Sequence, residues 1–232
     1  MTFTINERVG IAGHLTAAYA QIPTATIGHR VDGHAIDRAI RPVAPCPSVI
    51  AGPAVTVRTL GRDSTVCHKV IELIQVGDVV VVDRGGDAEY ACWGEMMTIA
   101  ASLRHAAAVI VDGMVTDIAA LRISGLPVFA RGVSPLATQL LGEGGSINVP
   151  VDCGGLLVAP GDLVVADDDG VLVFSPSEAT DILAEVQEEE NDDREYRDEL
   201  LRGALPSALA PIDELIATSN DRVAASSPAD RG

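Results

Sequence analysis

"GDVVVVDRGGDAEYACWGEMMTIAASLRHAAAVIVDGMVTDIAALRISGLPVFARG", residues 77–132, decides the fold. Three of its segments, "GDVVVVD", "AAAVIVDG" and "LPVFARG", are short continuous apolar runs. Such runs fit strands buried on both faces. Between them, "GEMMTIAASLRH" and "TDIAALRIS" read as helices. Strands alternating with helices imply a parallel α/β sheet with right-handed crossovers.

Upstream, "GPAVTVRTL" (52–60) alternates with β-branched residues and extends the sheet by one strand. "DSTVCHKVIELIQV" (63–76) has helical spacing through Val66, Val70, Ile71 and Ile74, with Asp63 or Ser64 as its cap. Residues 1–20 read as a helix, and 22–52 as a loop rich in Gly and Pro. Downstream the pattern changes. "SINVPVDCGGLLVAPGDLVVADDDGVLVFSP" (146–176) predicts short antiparallel strands, with Asp167, Asp168 and Asp169 in a hairpin turn before Gly170. "SPSEATDILAEVQEEENDDREYRDELLRGAL" (175–205) predicts a long helix capped by Ser175 or Ser177. Residues 1–205 therefore read as one domain and 206–232 as a tail, with 217–232 disordered.

The 232 residues are 47% hydrophobic, and 33 acidic residues against 16 basic give a net charge of −17. That balance speaks against nucleic acid, whose phosphates need a basic surface. It speaks equally against an anionic membrane surface. No apolar stretch reaches membrane-spanning length, and residues 1–20 lack the pattern of a signal peptide. Four scattered cysteines, Cys46, Cys67, Cys92 and Cys153, without a CxxC, fit a reduced, cytoplasmic chain.

Two isolated carboxylates stand where apolar or glycine-rich runs turn into helices: Glu95 after Gly94, and Asp117 after "VDGMVT". The amides of Met96 and Met97 at a helix start are donors suited to a carboxylate. Ligands of open α/β sheets bind beyond the carboxyl ends of the strands. Two acids at neighbouring strand ends suit one hard cation, most simply Mg²⁺ that keeps several waters. The alternative is that both acids only cap helices and complement their dipoles.

The segments "IRPVAP", "IAGPAVTV", "GDVVVVDRGGD", "WGEMMTIAA", "AVIVDGMVTD", "GLPVFARGVSP", "NVPVDCGG" and "PGDLVVADDDGVLV", in this order, resemble the RraA-like family. That family includes 4-hydroxy-4-methyl-2-oxoglutarate / 4-carboxy-4-hydroxy-2-oxoadipate aldolases that also act as oxaloacetate decarboxylases. The resemblance implies a three-layer β/β/α sandwich of the swivelling type, assembled as homotrimers or homohexamers with sites at subunit interfaces. It implies a metal-dependent lyase that cleaves a small 2-oxo acid by retro-aldol chemistry or decarboxylation, with Mg²⁺, Mn²⁺ or another divalent cation. Asp117 would bind the metal, Glu95 would act through a metal-bound water, and the amides of Met96 and Met97 beside Gly94 would bind the substrate carboxylate. An acid of a neighbouring subunit's terminal helix, Glu189 or Glu190, would join them.

Two positions depart from the family pattern. The aldolases carry Arg before the metal-binding Asp, and here Thr116 stands there. His29 stands where Asp is usual. Arg84, at the end of the preceding strand, is the candidate to replace the lost guanidinium, and His29 a candidate acid/base group. Other members of the family are non-catalytic regulators of an RNA-processing endonuclease, so a binding protein of that kind is the second reading; a lyase or hydratase on another small substrate is the third. His68 reads as a packed or boundary residue, and Cys92 as a small buried hydrophobe.

Overall fold

The computed structural model describes residues 2–226. In chain order its elements are β1 (Phe3–Ile5), α1 (Gly13–Tyr19), α2 (Thr24–Gly28), β2 (Arg41–Pro42), β3 (Ile50–Arg58), α3 (Thr65–Val70), β4 (Val79–Asp83) and β5 (Ala91–Trp93). Then follow α4 (Glu95–Leu103), β6 (Ala108–Val115), α5 (Ile118–Ile123), β7 (Val128–Val133), β8 (Gly145–Ile147), β9 (Val151–Cys153) and β10 (Leu156–Val158). The chain continues through β11 (Leu163–Asp167), β12 (Gly170–Phe174), α6 (Pro176–Leu201), α7 (Pro206–Leu209) and α8 (Ile212–Ser226). It forms two compact units, 1–187 and 188–232, and the division falls inside α6.

In the first unit the strand order is β1-β8-β3-β4-β6-β7-β2, and β3, β4, β6 and β7 run parallel. Strand alternation sends successive valines of β4 to opposite faces. Val80 and Val82 meet Val66, Val70, Met97 and Leu121 in one core, against α3, α4 and α5. Val79 and Val81 meet Val151, Val158, Val164 and Val173 in a second core, against β9 to β12. The layers are thus helix, parallel sheet and a second β layer. A third core covers the far side of β11 and β12 with α1, α2 and the start of α6.

The hairpin predicted at Asp167–Gly170 forms, with Asp167 opposite Gly170. Asp167 also accepts from the Thr24 amide at 2.8 Å and so starts α2. The predicted cap of α6 is Ser175: its hydroxyl accepts from the Glu178 amide, and the Glu178 carboxylate accepts from the Ser175 amide at 2.9 Å. This is a reciprocal capping box.

Three expectations need correction. Residues 3–5 form a strand beside β8 rather than a helix, and the first helix is only Gly13–Tyr19. The loop-rich stretch contains a helical turn, Thr24–Gly28. Part of the tail read as disordered is helical as far as Ser226, while 227–232 lie outside the described residues. In the second unit, Arg194 pairs with Glu190 at 2.7 Å, and Arg202 with Glu199 at 2.6 Å. No described helix is long and apolar enough to cross a membrane.

Candidate active site

The carboxyl ends of β5 and β6 meet the start of α4. β6 runs on to Val115, and both of its pairings slip by a residue: Ala91 and Trp93 face the adjacent Met114 and Val115, and a further irregularity separates Val111 from Met114. Such bulges re-aim the residues that follow them. Here they bring Thr116 and Asp117 against Gly94. The Thr116 amide donates to the Trp93 carbonyl at 2.9 Å. On the other side, Trp93 Nε1 donates to Thr98 Oγ1 at 3.0 Å, and that hydroxyl donates to the Gly94 carbonyl at 2.8 Å. The strand-to-helix turn is fixed from both sides.

Asp117 does not cap its own helix. Its backbone is left-handed (φ 56°) and its carbonyl starts α5, accepting from Ala120 and Leu121. Its carboxylate turns instead to α4, where Oδ2 accepts from the Glu95 amide at 3.0 Å. A left-handed non-glycine residue is strained, and such strain concentrates at functional sites. The space is tight: a Cβ on Gly94 would lie 2.4 Å from Asp117 Oδ2 and 2.7 Å from Thr116 Cγ2. Gly94 is therefore required by the close approach of Asp117. The capping alternative is met in part, since Asp117 does serve a helix N-terminus, but it is the neighbouring one.

A cleft of about 210 Å³ opens here, lined by Cys92, Gly94, Met96, Met97, Thr116 and Asp117 on one side. Ser64, His68, Ala137 and Thr138 form the other. Its volume falls below the roughly 300–1,000 Å³ of drug-sized pockets, which suits a small ligand. The amides of Met96 and Met97 lie in the first turn of α4, where no intrahelical carbonyl is available to them.

The wall carrying Ser64 is held by Asp63. This buried carboxylate accepts from the Thr65 amide and hydroxyl, and from the Leu141, Glu143 and Gly144 amides. Burial alone would raise its pKa, but the hydrogen bonds from Thr65, Leu141 and Glu143 win and hold it well below the usual carboxylate value.

The sequence-predicted residues divide. Gly94, Met96, Met97, Thr116 and Asp117 line one cleft, with Glu95 at its edge. Arg84 is not among its lining. Its side chain is fully buried, bonded to Thr59 Oγ1 at 2.6 Å, the Gly61 carbonyl at 3.0 Å and Asp87 at 3.0 Å. The expected surrogate cation is thus a loop-binding residue behind the wall. His29 ends α2 and does not line the cleft either. His68, read from the sequence as a packed or boundary residue, is exposed at the rim. One signal could have found it: it stands four residues after Ser64 on the same helix start, so both can face one opening.

Asp117 Oδ1 receives only a long approach, 3.5 Å, from the Thr116 hydroxyl. Among the described residues no converging set of three His, Cys, Asp or Glu side chains includes Asp117 or Glu95. That donor set fits a hard cation that takes one or two carboxylates and keeps its waters, as Mg²⁺ does. It does not fit a structural zinc site, which needs four protein ligands.

Comparison with known proteins agrees with this geometry. Residues 24–173 match the RraA-like family, described as Aldolase/RraA. The chain is 32% identical over 199 residues to a Halalkalibacterium halodurans protein named "Putative 4-hydroxy-4-methyl-2-oxoglutarate aldolase", covering 85% of this chain and 93% of that one. The crystal structure of Streptomyces coelicolor RraAS2, an unusual member of the RNase ES inhibitor RraA protein family, superposes with a TM-score of 0.72 at 28% identity, covering 82% of this chain and 99% of that one. The RNA-processing inhibitor RraA from Thermus thermophilis gives 0.59 at 28% identity, covering 66% and 91%. The fold and the cleft thus define an α/β protein with an acid-bearing site at its strand ends. The chain belongs to the RraA-like family.

Proposed function

We propose that the protein is a divalent-metal-dependent lyase that cleaves a small 2-oxo acid at this cleft, by retro-aldol scission or decarboxylation, and releases pyruvate or an equivalent product. The observation that carries the reading is Asp117. It is held in a strained backbone conformation with one carboxylate oxygen tied to α4 and the other turned to the opening. Asp117, with Glu95 acting through water, would hold the cation. A bound divalent ion supplies positive charge that draws electron density from the 2-oxo acid as its carbon–carbon bond breaks.

The chain's own groups do the rest. The Met96 and Met97 amides point the positive end of α4 at a substrate carboxylate. The Thr116 hydroxyl offers one neutral hydrogen bond where the aldolases have a guanidinium, a loss of perhaps roughly 1–2 kcal/mol relative to a charge-assisted bond. His68 is the one ionisable nitrogen of the lining and faces the cleft from the opposite wall. A neutral Thr116 favours a substrate with an uncharged group at that point.

Self-association as a trimer or hexamer belongs to the same proposal. Met96, Ile99 and Leu103 are exposed on one stripe of α4, and Ile123 is exposed on α5. A stripe at this spacing is a helix face in need of cover.

The second reading is a non-catalytic regulator that binds a ribonuclease. Thr116 favours it, because the cleft holds no guanidinium, and the net charge of −17 suits a basic partner. The test is pyruvate release from oxaloacetate and from 4-hydroxy-4-methyl-2-oxoglutarate, with Mg²⁺ or with EDTA. Release that EDTA abolishes, raised further in Thr116→Arg, supports the lyase. Silence on both substrates, in the wild type and in Thr116→Arg alike, supports the regulator.

A further inference from the structure

Behind the cleft wall lie three groups that the proposed reaction does not use. Cys67, in the first turn of α3, and Cys92, in the irregular part of β5, are both buried, at 0% and 5% exposure. They belong to the same core and their thiols are hydrogen-bonded to each other. The third is Arg84. Its Nη atoms are taken by Thr59, Gly61 and Asp87, but its buried Nε has no partner, and its charge acts on both thiols. Gly113 makes room for it, since a Cβ there would lie 2.5 Å from Arg84 Cγ. Cys92 also lines the cleft, so a small molecule entering the cleft reaches its sulfur.

We propose that Cys67 and Cys92 are an oxidant-sensitive dithiol, which a small peroxide entering through the cleft converts to a disulfide.

The pair is asymmetric. Cys67 S–H donates to Cys92, and this bond together with the Arg84 charge lowers the Cys92 pKa; Cys67 is raised by the same bond and by burial. Cys92 is therefore the attacking sulfur. Its thiolate attacks one peroxide oxygen: an S–O bond forms, the O–O bond breaks, and the leaving hydroxide takes a proton to become water. The Cys67 sulfur then attacks the sulfenic sulfur. An S–S bond forms, the S–O bond breaks, and hydroxide leaves with the Cys67 proton as a second water. Two thiols lose two electrons and the peroxide gains them. The other two cysteines lack this arrangement. Cys46 is pushed up to about 11 by burial and nearby aspartates, and Cys153 is raised further by the same causes.

Trypsin separates all four cysteines: Cys67 falls on 63–69 and Cys92 on 85–104. The experiment is non-reducing peptide mapping of the full chain after dilute hydrogen peroxide. The expected product is a linked 63–69/85–104 species that dithiothreitol removes. In Cys67→Ser, the link is replaced by a Cys92 sulfenic acid that dimedone traps. Fluorescence of Trp93, the only tryptophan and the neighbour of Cys92, should change at the rate of linking. A map with no 67–92 link, or with links through Cys46 or Cys153 instead, overturns the proposal. The wild-type map decides the matter even if Cys67→Ser fails to fold. None of these readouts depends on lyase activity.

Discussion

Residue by residue, the site was only partly legible. Gly94, Glu95, Thr116 and Asp117 could be picked out because small and acidic residues interrupt apolar runs at strand ends. What Asp117 does with its carboxylate could not, because its reach to the Glu95 amide depends on two bulges that bring sequence-distant backbones together. Arg84 read as a loop arginine able to reach the cleft. Its burial depends on acceptors from Thr59 and Gly61, which the sequence does not place beside it. A prediction follows for Gly94→Ala. The added carbon would collide with Asp117 Oδ2, so turnover should fall by about a hundredfold, with thermal unfolding shifted only slightly. Steady-state kinetics and a melting curve, measured together, check both halves. Asp63 gives a second prediction. Its folded pKa lies below the ordinary carboxylate value. Its stabilising contribution is therefore complete above that ordinary value, about 4, and is lost as the pH falls through the folded pKa. Asp63→Asn should cost about 3 kcal/mol at neutral pH. It should also flatten the loss of stability below about pH 4. Urea unfolding across pH measures this, and unchanged midpoints would contradict the role given to Asp63.

At the scale of elements, the buried strands were legible because both faces of β4 and β6 are apolar and a parallel sheet demands that. The capping box of α6 was visible as Ser175 followed three residues on by Glu178. Two elements escaped. The three residues of β1 are all exposed, so they carry no burial pattern, and only pairing with β8 makes them a strand. α3 is shorter than its hydrophobic spacing suggests: the helix ends at Val70, and Ile71 to Ile74 continue as turns into the core. Tertiary burial there satisfies the same apolar positions without a helix. The outer stripe of α4 yields a prediction of its own. Leu103 is 75% exposed, and Leu103→Glu places a charge on a face proposed to meet a second copy. Light scattering should show a lower oligomeric state with the melting of the chain's own fold little changed. A wild type that is monomeric at micromolar concentration would remove that face from the account.

For the whole molecule, the layer order follows from one local fact: successive valines of β4 enter two different cores. The helix layer, the sheet and the second β layer all meet at those residues, and the cleft sits where the parallel strands end. The family resemblance carried the architecture. The missing guanidinium leaves the chemistry to a cation and to helix-start amides. The claim that rests on most of this is that Asp117 holds that cation. Asn tolerates the left-handed backbone that Asp117 adopts, so Asp117→Asn removes the charge and keeps the turn. The direct measurement is Mn²⁺ titration by water-proton relaxation, in wild type and in Asp117→Asn. The account predicts one Mn²⁺ site in the wild type that retains exchangeable waters, and affinity lower by about tenfold to a hundredfold in the variant. Equal binding by the two proteins, or no binding by either, would contradict it.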